Sequence, residues 1–252
     1  MRLHMFWFSH FNEKVRWAFA YKGIPYEART VSPGDHMPII KKLSGQTSTP
    51  VLEADGQVLV GSTKICVYLE DHFPERPLLP KPIDAAERAK VLEVCDWFDA
   101  TVGKPHRQAL FQYFFDNDPA ALAALWSTNR NSLRRLGYTL GMPVFRAVIS
   151  NMDNINAETA RAGEESVRTA LDRIVNDSAA TGFLCGSQFS LADLTAAALL
   201  FPLAEPPELS FDIPAAAQPA LKIWADRFRE HAGVRWIEKI FREYGPRAER
   251  RD

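Results

Sequence analysis

The 252 residues contain only three cysteines, Cys66, Cys95 and Cys185. They are scattered, odd in number and without C-x-x-C spacing. That argues against a disulfide framework and a zinc centre and for a reducing, cytoplasmic setting. Each reads as a small core residue rather than a nucleophile. Charge of one sign is also missing: 30 Lys and Arg against 31 Asp and Glu leave a net −1. No global field attracts nucleic acid or an anionic membrane surface. No apolar run approaches the roughly 20 residues of a membrane-spanning helix. Met5–Phe8 is too short for the apolar region of a secretory signal, and no small-residue cleavage site follows it. Internal repeats and low-complexity tracts are absent. The expectation is a chain without metal, nucleic-acid or membrane partners.

Apolar residues, at 46%, suffice for a real core. The length allows one large domain or two ordinary ones. The chain is organised around Phe6–Gly23, FWFSHFNEKVRWAFAYKG. It reads as a strand end, a sharp turn at Ser9-His10, and a helix. Phe11, Val15, Ala18 and Phe19 fall on one stripe, and Gly23 stops the helix in the left-handed conformation. Ser9 stands where a hydroxyl caps the first turn. The same position favours negative charge, so it can also hold a thiolate, a carboxylate or a phosphate. On this stretch alone the cap is the favoured role, because most Ser before an amphipathic run are caps.

The first 80 residues alternate in type. Strands are expected at Leu3–Phe8, Tyr26–Val31, Thr49–Ala54 and Gln57–Val60, with helices at Ser9–Lys22, Asp35–Leu43 and from Ser62, as its cap, to near Phe73. Asp55-Gly56 signals a hairpin between the last two strands. The first two lack such a connection, so they are expected to be parallel. Pro74–Pro82, with four prolines in nine residues, reads as a stiff linker. Everything after Asp84 reads as helical. Val91, Val94, Cys95, Phe98 and Val102 share a stripe, and Gly103-Lys104-Pro105 kinks it. Pro119 opens the next helix. Between Trp126 and Asn156 the pattern is weakest; Arg130, Arg134, Arg135 and Arg146 read as a solvated helix face. Helices follow at Thr159–Val175, Pro219–His231 and Val234–Phe241, and the charged tail Pro246–Asp252 reads as frayed. Ser190 and Asp193 fit a capping box, with Phe189 and Leu194 as its hydrophobic staple. The apolar run Leu194–Leu203 makes that helix a buried axis.

Four stretches in order carry a resemblance: SHFNEKVRWAFAYKGIPYE, TSTPVLEADGQVLVGSTKICVYLEDHFP, RPLLP and FLCGSQFSLADLTAAALL. Together they resemble the cytosolic glutathione transferases of the serine and cysteine types. The resemblance implies an α/β thioredoxin-like N-terminal domain over residues 1–80, then an all-α helical C-terminal domain over 84–252. It implies glutathione as co-substrate, a small electrophilic molecule as second substrate, and a homodimer. Ser9 then falls at the catalytic position. A cis Thr49-Pro50 bond, Ser62 and Thr63 fall at the glutathione-binding positions. His10, Phe11, Phe111, Phe115 and Tyr138 are expected to wall the pocket for the electrophile. The family's acidic residue before Ser62 is Gly61 here, so the partner expected for glutathione's ammonium group is missing. Ser9 and Asn12 replace the two thiols of glutaredoxins, so disulfide reduction is not expected. The implied activity is conjugation of glutathione; the alternative is a binding or interaction module that keeps the fold. A glutathione-dependent lyase, isomerase or dehalogenase shares the same pattern.

Overall fold

Alternating apolar residues place β1 (Arg2–Phe6) at the centre of a four-stranded sheet in the computed structural model, which describes residues 1–81, 84–127 and 132–246. Readings that fall on Pro82, on Arg130 and on the tail beyond Pro246 lie outside the described residues. The sheet order is β2-β1-β3-β4, with β2 (Glu27–Val31), β3 (Val51–Ala54) and β4 (Gln57–Val60). β1 runs parallel to β2, Leu3 facing Ala28, and antiparallel to β3, Leu3 facing Leu52. β3 and β4 close through Asp55-Gly56, both in the left-handed region as a two-residue hairpin requires. The Thr49–Pro50 peptide bond is cis.

α1 (His10–Lys22), α2 (His36–Ser44) and α3 (Ser62–His72) complete this part. Gly23 ends α1 at φ 69°, its N–H and that of Ile24 returning to the Ala20 and Phe19 carbonyls. One expectation is corrected at α3. Ser62 does not cap it; Ser62 is the first helical residue, and Gly61 occupies the cap position at φ 98°, ψ 133°. No neighbouring atom crowds a Cβ there. The backbone conformation is what calls for glycine at this position.

Among the described residues no strand follows Val60, and the rest is mostly helical. α4 (Ala85–Phe98) buries the expected stripe and passes through a π-helical turn, Asp99–Gly103, into α5 (Lys104–Asn117), with Pro105 in its first turn. The kink foreseen at Gly103 is therefore a π-bulge, the kind of local widening that bends a helix. Asp118 caps α6 (Pro119–Trp126) by accepting the Ala121 N–H. α7 (Ser132–Asp153) carries an unforeseen pattern. Leu133, Leu136, Leu140, Val144, Val148 and Met152 recur every three or four residues and are exposed. Gly137, Gly141 and Pro143 inside the same helix hid that period from the sequence. Two of its arginines, on an exposed face as expected, also pair with other elements: Arg134 with Asp35 and Ser32, Arg146 with Asp116 and the Phe115 carbonyl. α8 (Ala157–Ser178), α9 (Leu191–Leu200), α10 (Gln218–Asp226) and α11 (Ala232–Tyr244) follow.

α9 is buried along its whole length, as its apolar run implies. Asp193 is the expected box: its carboxylate accepts the N–H and hydroxyl of Ser190 and the Leu184 N–H. Burial pushes its pKa up to about 6 against those bonds. Leu191 N–H donates to the Leu78 carbonyl, 2.6 Å away, tying this helix to the proline-rich linker.

α1 lies between sheet, α3 and α9 and is buried on nearly every side, charged residues included. Each of those charges is paired. Lys14 Nζ meets Asp99 at 3.0 Å and the Thr63 hydroxyl at 2.6 Å. Lys22 Nζ meets Glu70 at 2.7 Å and the Phe73 carbonyl at 2.8 Å. Arg16 meets Glu13 at 2.9 Å, and Glu13 accepts the Ser210 N–H and hydroxyl. Lys14 is 0% exposed. Burial is the largest single influence and disfavours its ammonium, but the groups facing it, Asp99 foremost, together keep its pKa raised. Asp99→Ala is expected to cost about 3–5 kcal/mol, because it leaves that ammonium buried and unpaired. Urea unfolding measures it. The double variant Lys14→Met/Asp99→Leu should recover much of the loss; a single variant within about 0.5 kcal/mol of wild type would contradict the pairing.

Candidate functional site

The turn between β1 and α1 is held from behind by Arg16. Its guanidinium donates to the Phe6 carbonyl at 3.1 Å and lies over the Phe211 ring at 4.7 Å. Phe8 packs edge-on against Phe201. This fixes Ser9 at the mouth of α1, in extended backbone (φ −160°, ψ 127°). Its carbonyl accepts the Glu13 N–H at 2.8 Å, but its hydroxyl makes no capping hydrogen bond. The cap role that the stretch alone favours is thus not filled by the Ser9 side chain, and that expectation is corrected. Asn12, fully buried one turn on, donates to the Thr49 hydroxyl at 3.1 Å and ties α1 to the loop before β3.

A cleft of about 380 Å³ opens at this turn. One wall is the Phe6–Phe11 segment together with Thr47, Ser48 and Thr49; the facing wall is α5 and α7. Ser9, His10, Phe11, Thr49 and Phe111 line it. Phe11 reaches its place because residue 103 is glycine: a Cβ there would lie 2.3 Å from the Phe11 ring.

Other expected residues lie elsewhere. Phe115 is buried behind the wall, packed on Phe111 and under the Arg146 guanidinium. Tyr138 is buried too; its hydroxyl donates to the Pro33 carbonyl and its ring packs on Trp126 and Phe145. The expectation that these two wall the pocket is corrected, since the helical period put them on inward faces. Trp126 and Phe145 line the cleft in their stead. Pro50 and Ser62 are buried and do not line the cleft. The Thr63 hydroxyl is held by Lys14 and Asp99.

Sequence reasoning missed His106 and Arg107, which also line the cleft from α5. No motif marks them; only the kink at Gly103 sets the face of α5 that turns inward. His106 is 1% exposed, and its Nδ1 lies 3.1 Å from the Leu199 carbonyl. Burial pushes its pKa down to about 4. His10 is stacked on it, ring centroids 6.3 Å apart and 14° from parallel. Burial first, then His106 and Arg107, hold His10 well below the usual imidazole range. Both rings are neutral at pH 7. Arg107 pairs with Asp153 at 3.1 Å. Burial raises Cys66 to about 12 and Cys95 and Cys185 to about 11, so none is a thiolate at pH 7. Among the described residues no cluster fit for a metal ion occurs, and no helix is long and apolar enough to cross a membrane.

A small mixed sheet followed by helices, with a hydroxyl at the mouth of the first helix, defines a thioredoxin-like architecture with a helical extension. The pattern for the glutathione S-transferase N-terminal domain matches residues 3–77, and that for the C-terminal domain matches 138–232. The chain belongs to the glutathione S-transferase family. Maleylpyruvate isomerase from Ralstonia sp. is 36% identical over 95 residues, 36% of this chain and 45% of that protein. The chain spans about half the length of the curated relatives it matches. The structure of the β-etherase LigF from Sphingobium sp. strain SYK-6 aligns at TM-score 0.60 and 22% identity, covering 94% of this chain and 98% of that one. Maleylacetoacetate isomerase from Methylobacterium extorquens AM1, solved with malonate and glutathione bound, aligns at TM-score 0.55 and 21% identity, covering 95% and 97%.

The neutral histidines carry a pH dependence with a definite sign. His106 has a folded pKa of about 4 and an unfolded one near 6.5. Its contribution to stability is complete above pH 6.5 and is lost as pH falls through 4, about 3 kcal/mol in all. Asp193, with a raised pKa, acts in the opposite direction over a similar range. The difference between wild type and His106→Phe isolates the histidine. Urea unfolding from pH 7 to pH 4 should show wild type losing more stability than the variant; parallel curves would contradict the burial of a neutral ring.

Proposed function

We propose that this chain is a glutathione-dependent enzyme in which residues 1–80 bind glutathione and the helical part, residues 84–252, supplies the wall for a second, electrophilic substrate. The observation that carries the reading is the Ser9 hydroxyl, uncommitted as a cap at the mouth of α1 and bordering an aromatic cleft. Thr49 stands beside the cleft in the position to pair its backbone with the cysteinyl part of an extended peptide. The start of α3, with Ser62, offers backbone N–H groups for a carboxylate. A thiolate held at Ser9 attacks an electrophilic carbon in the cleft.

The relatives favour isomerisation over stable conjugation: several of them are named maleylpyruvate or maleylacetoacetate isomerases. In that course the sulfur adds to one carbon of an activated cis double bond. The bond becomes single and rotates, the sulfur leaves with its electron pair, and the trans double bond forms. Glutathione is regenerated. One observation favours the non-catalytic alternative: Gly61 offers no side chain to the ammonium end of glutathione.

The test is proton NMR of maleylpyruvate with glutathione and the protein. The expected outcome is cis-to-trans conversion, dependent on glutathione, with no glutathione consumed. A stable thioether would mean conjugation instead. Calorimetric binding of glutathione without turnover of maleylpyruvate or of a panel of electrophiles would mean a binding module.

A further inference from the structure

Three polar atoms of cleft residues are buried without a partner among the described residues: Nε2 of His10, Nε2 of His106 and Nε of Arg107. Buried polar groups are nearly always paired, and one left unpaired costs about 1–3 kcal/mol. Two of them belong to rings stacked on each other, His10 and His106, and the third to Arg107, the next residue of α5 along the same cleft; they call for a partner from outside the chain.

The character of each atom is fixed by what its own side chain already does. The Leu199 carbonyl can only accept, so His106 carries its hydrogen on Nδ1. Its Nε2 in the neutral ring is then a bare acceptor. His10 likewise bonds the Gly103 carbonyl, and Nε2 is the nitrogen left over. Arg107 Nε is always an N–H donor. The place therefore offers two acceptors and one donor. A carboxylate would bring only acceptors to two lone pairs. A methyl or ether group would leave the histidines unpaired. A hydroxyl does both, donating to a ring nitrogen and accepting from the guanidinium. The surrounding cleft side chains, Phe11, Phe111, Trp126 and Phe145, are aromatic.

We propose that His10, His106 and Arg107 form a hydroxyl-recognition subsite for the second substrate. It rests on the reading of the cleft as the second-substrate site. Hydrogen-bonding sites discriminate strongly against isosteres that lack the group, because the site's own atoms are then left unpaired.

The test uses the whole chain, with glutathione present, and three matched probes measured by calorimetry: 4-hydroxyacetophenone, its isostere 4-methylacetophenone, and 4-acetylbenzoate. The hydroxy compound is expected to bind at least about tenfold tighter than the methyl one, and the benzoate weakest. His106→Phe should abolish most of the hydroxy preference, and His106→Gln, whose amide oxygen still accepts, should retain part of it. Equal binding of the hydroxy and methyl probes to wild type would overturn the subsite, with water as the resident partner. Tighter binding of the benzoate would overturn it too. A hydroxy preference untouched in a folded His106→Phe would remove His106 from it. If His106→Phe does not fold, the wild-type ranking and His106→Gln decide. Selective binding of the hydroxy probe without any glutathione-dependent turnover would sink the enzymatic reading and leave the subsite standing.

Discussion

The structure depends on how α1 carries charge through the middle of the molecule. An ammonium or guanidinium in a dry interior is tolerated only with a close, well-bonded partner. Lys14, Arg16 and Lys22 each find one: Asp99 in the π-helical turn, Glu13 on α1 itself and tied to Ser210, and Glu70 on α3. The three pairs bind the helix to the helical part, to the segment around Phe211 and to the linker. Lys22 also holds the carbonyls of Phe73, Glu75 and Arg76, and Glu70 takes the Leu78 N–H. The proline-rich connection is thereby fixed to the same helix. Such pairs contribute position more than net stability, and position is what a site at the helix mouth needs.

Ser9 inherits that rigidity. Arg16 holds the Phe6 carbonyl, so the strand end that leads into Ser9 cannot drift from the helix that follows it. Asn12 couples the same helix to Thr49. Across the cleft, the π-bulge at Asp99–Gly103 serves two ends at once. Asp99 neutralises Lys14, and Gly103 admits the Phe11 ring and receives the His10 imidazole. The bulge also rotates α5 so that His106 and Arg107 face the cleft. A straight helix would present another face there. The placing of Phe11 and of the α5 residues in the cleft therefore follows from one local irregularity.

The strands, the parallel pairing of β1 with β2, the hairpin at Asp55-Gly56 and the box at Ser190–Asp193 were all legible, because each rests on a local signal. The π-bulge was legible only as a break at Gly103-Lys104-Pro105, since widening is a response to packing. The charges of α1 bear no local mark of burial; it is set by α3 and α9, which lie far away in sequence. Ser9, Thr49 and Ser62 came from a resemblance, whereas His106 and Arg107 carry no signature. Their meaning depends on which backbone carbonyl the imidazole meets. On α7 the apolar period was masked by Gly137, Gly141 and Pro143, in the stretch whose pattern is weakest. Phe115 and Tyr138 were misplaced for a related reason: aromatic character marks burial without saying which side of a wall.

The account turns on Ser9 donating to a glutathione sulfur. A hydrogen bond to a charged acceptor contributes about 1.5–3 kcal/mol, and about 1.36 kcal/mol moves a pKa by one unit. A thiol near 8.5 would fall by roughly one to two units when bound, with the helix dipole acting in the same sense. The direct measurement is the ultraviolet thiolate absorbance of bound glutathione against pH, in wild type and in Ser9→Ala. The account predicts a titration near neutrality in wild type and one close to that of the free thiol in the variant. Coincident titrations in the two proteins, with glutathione bound in both, would contradict it.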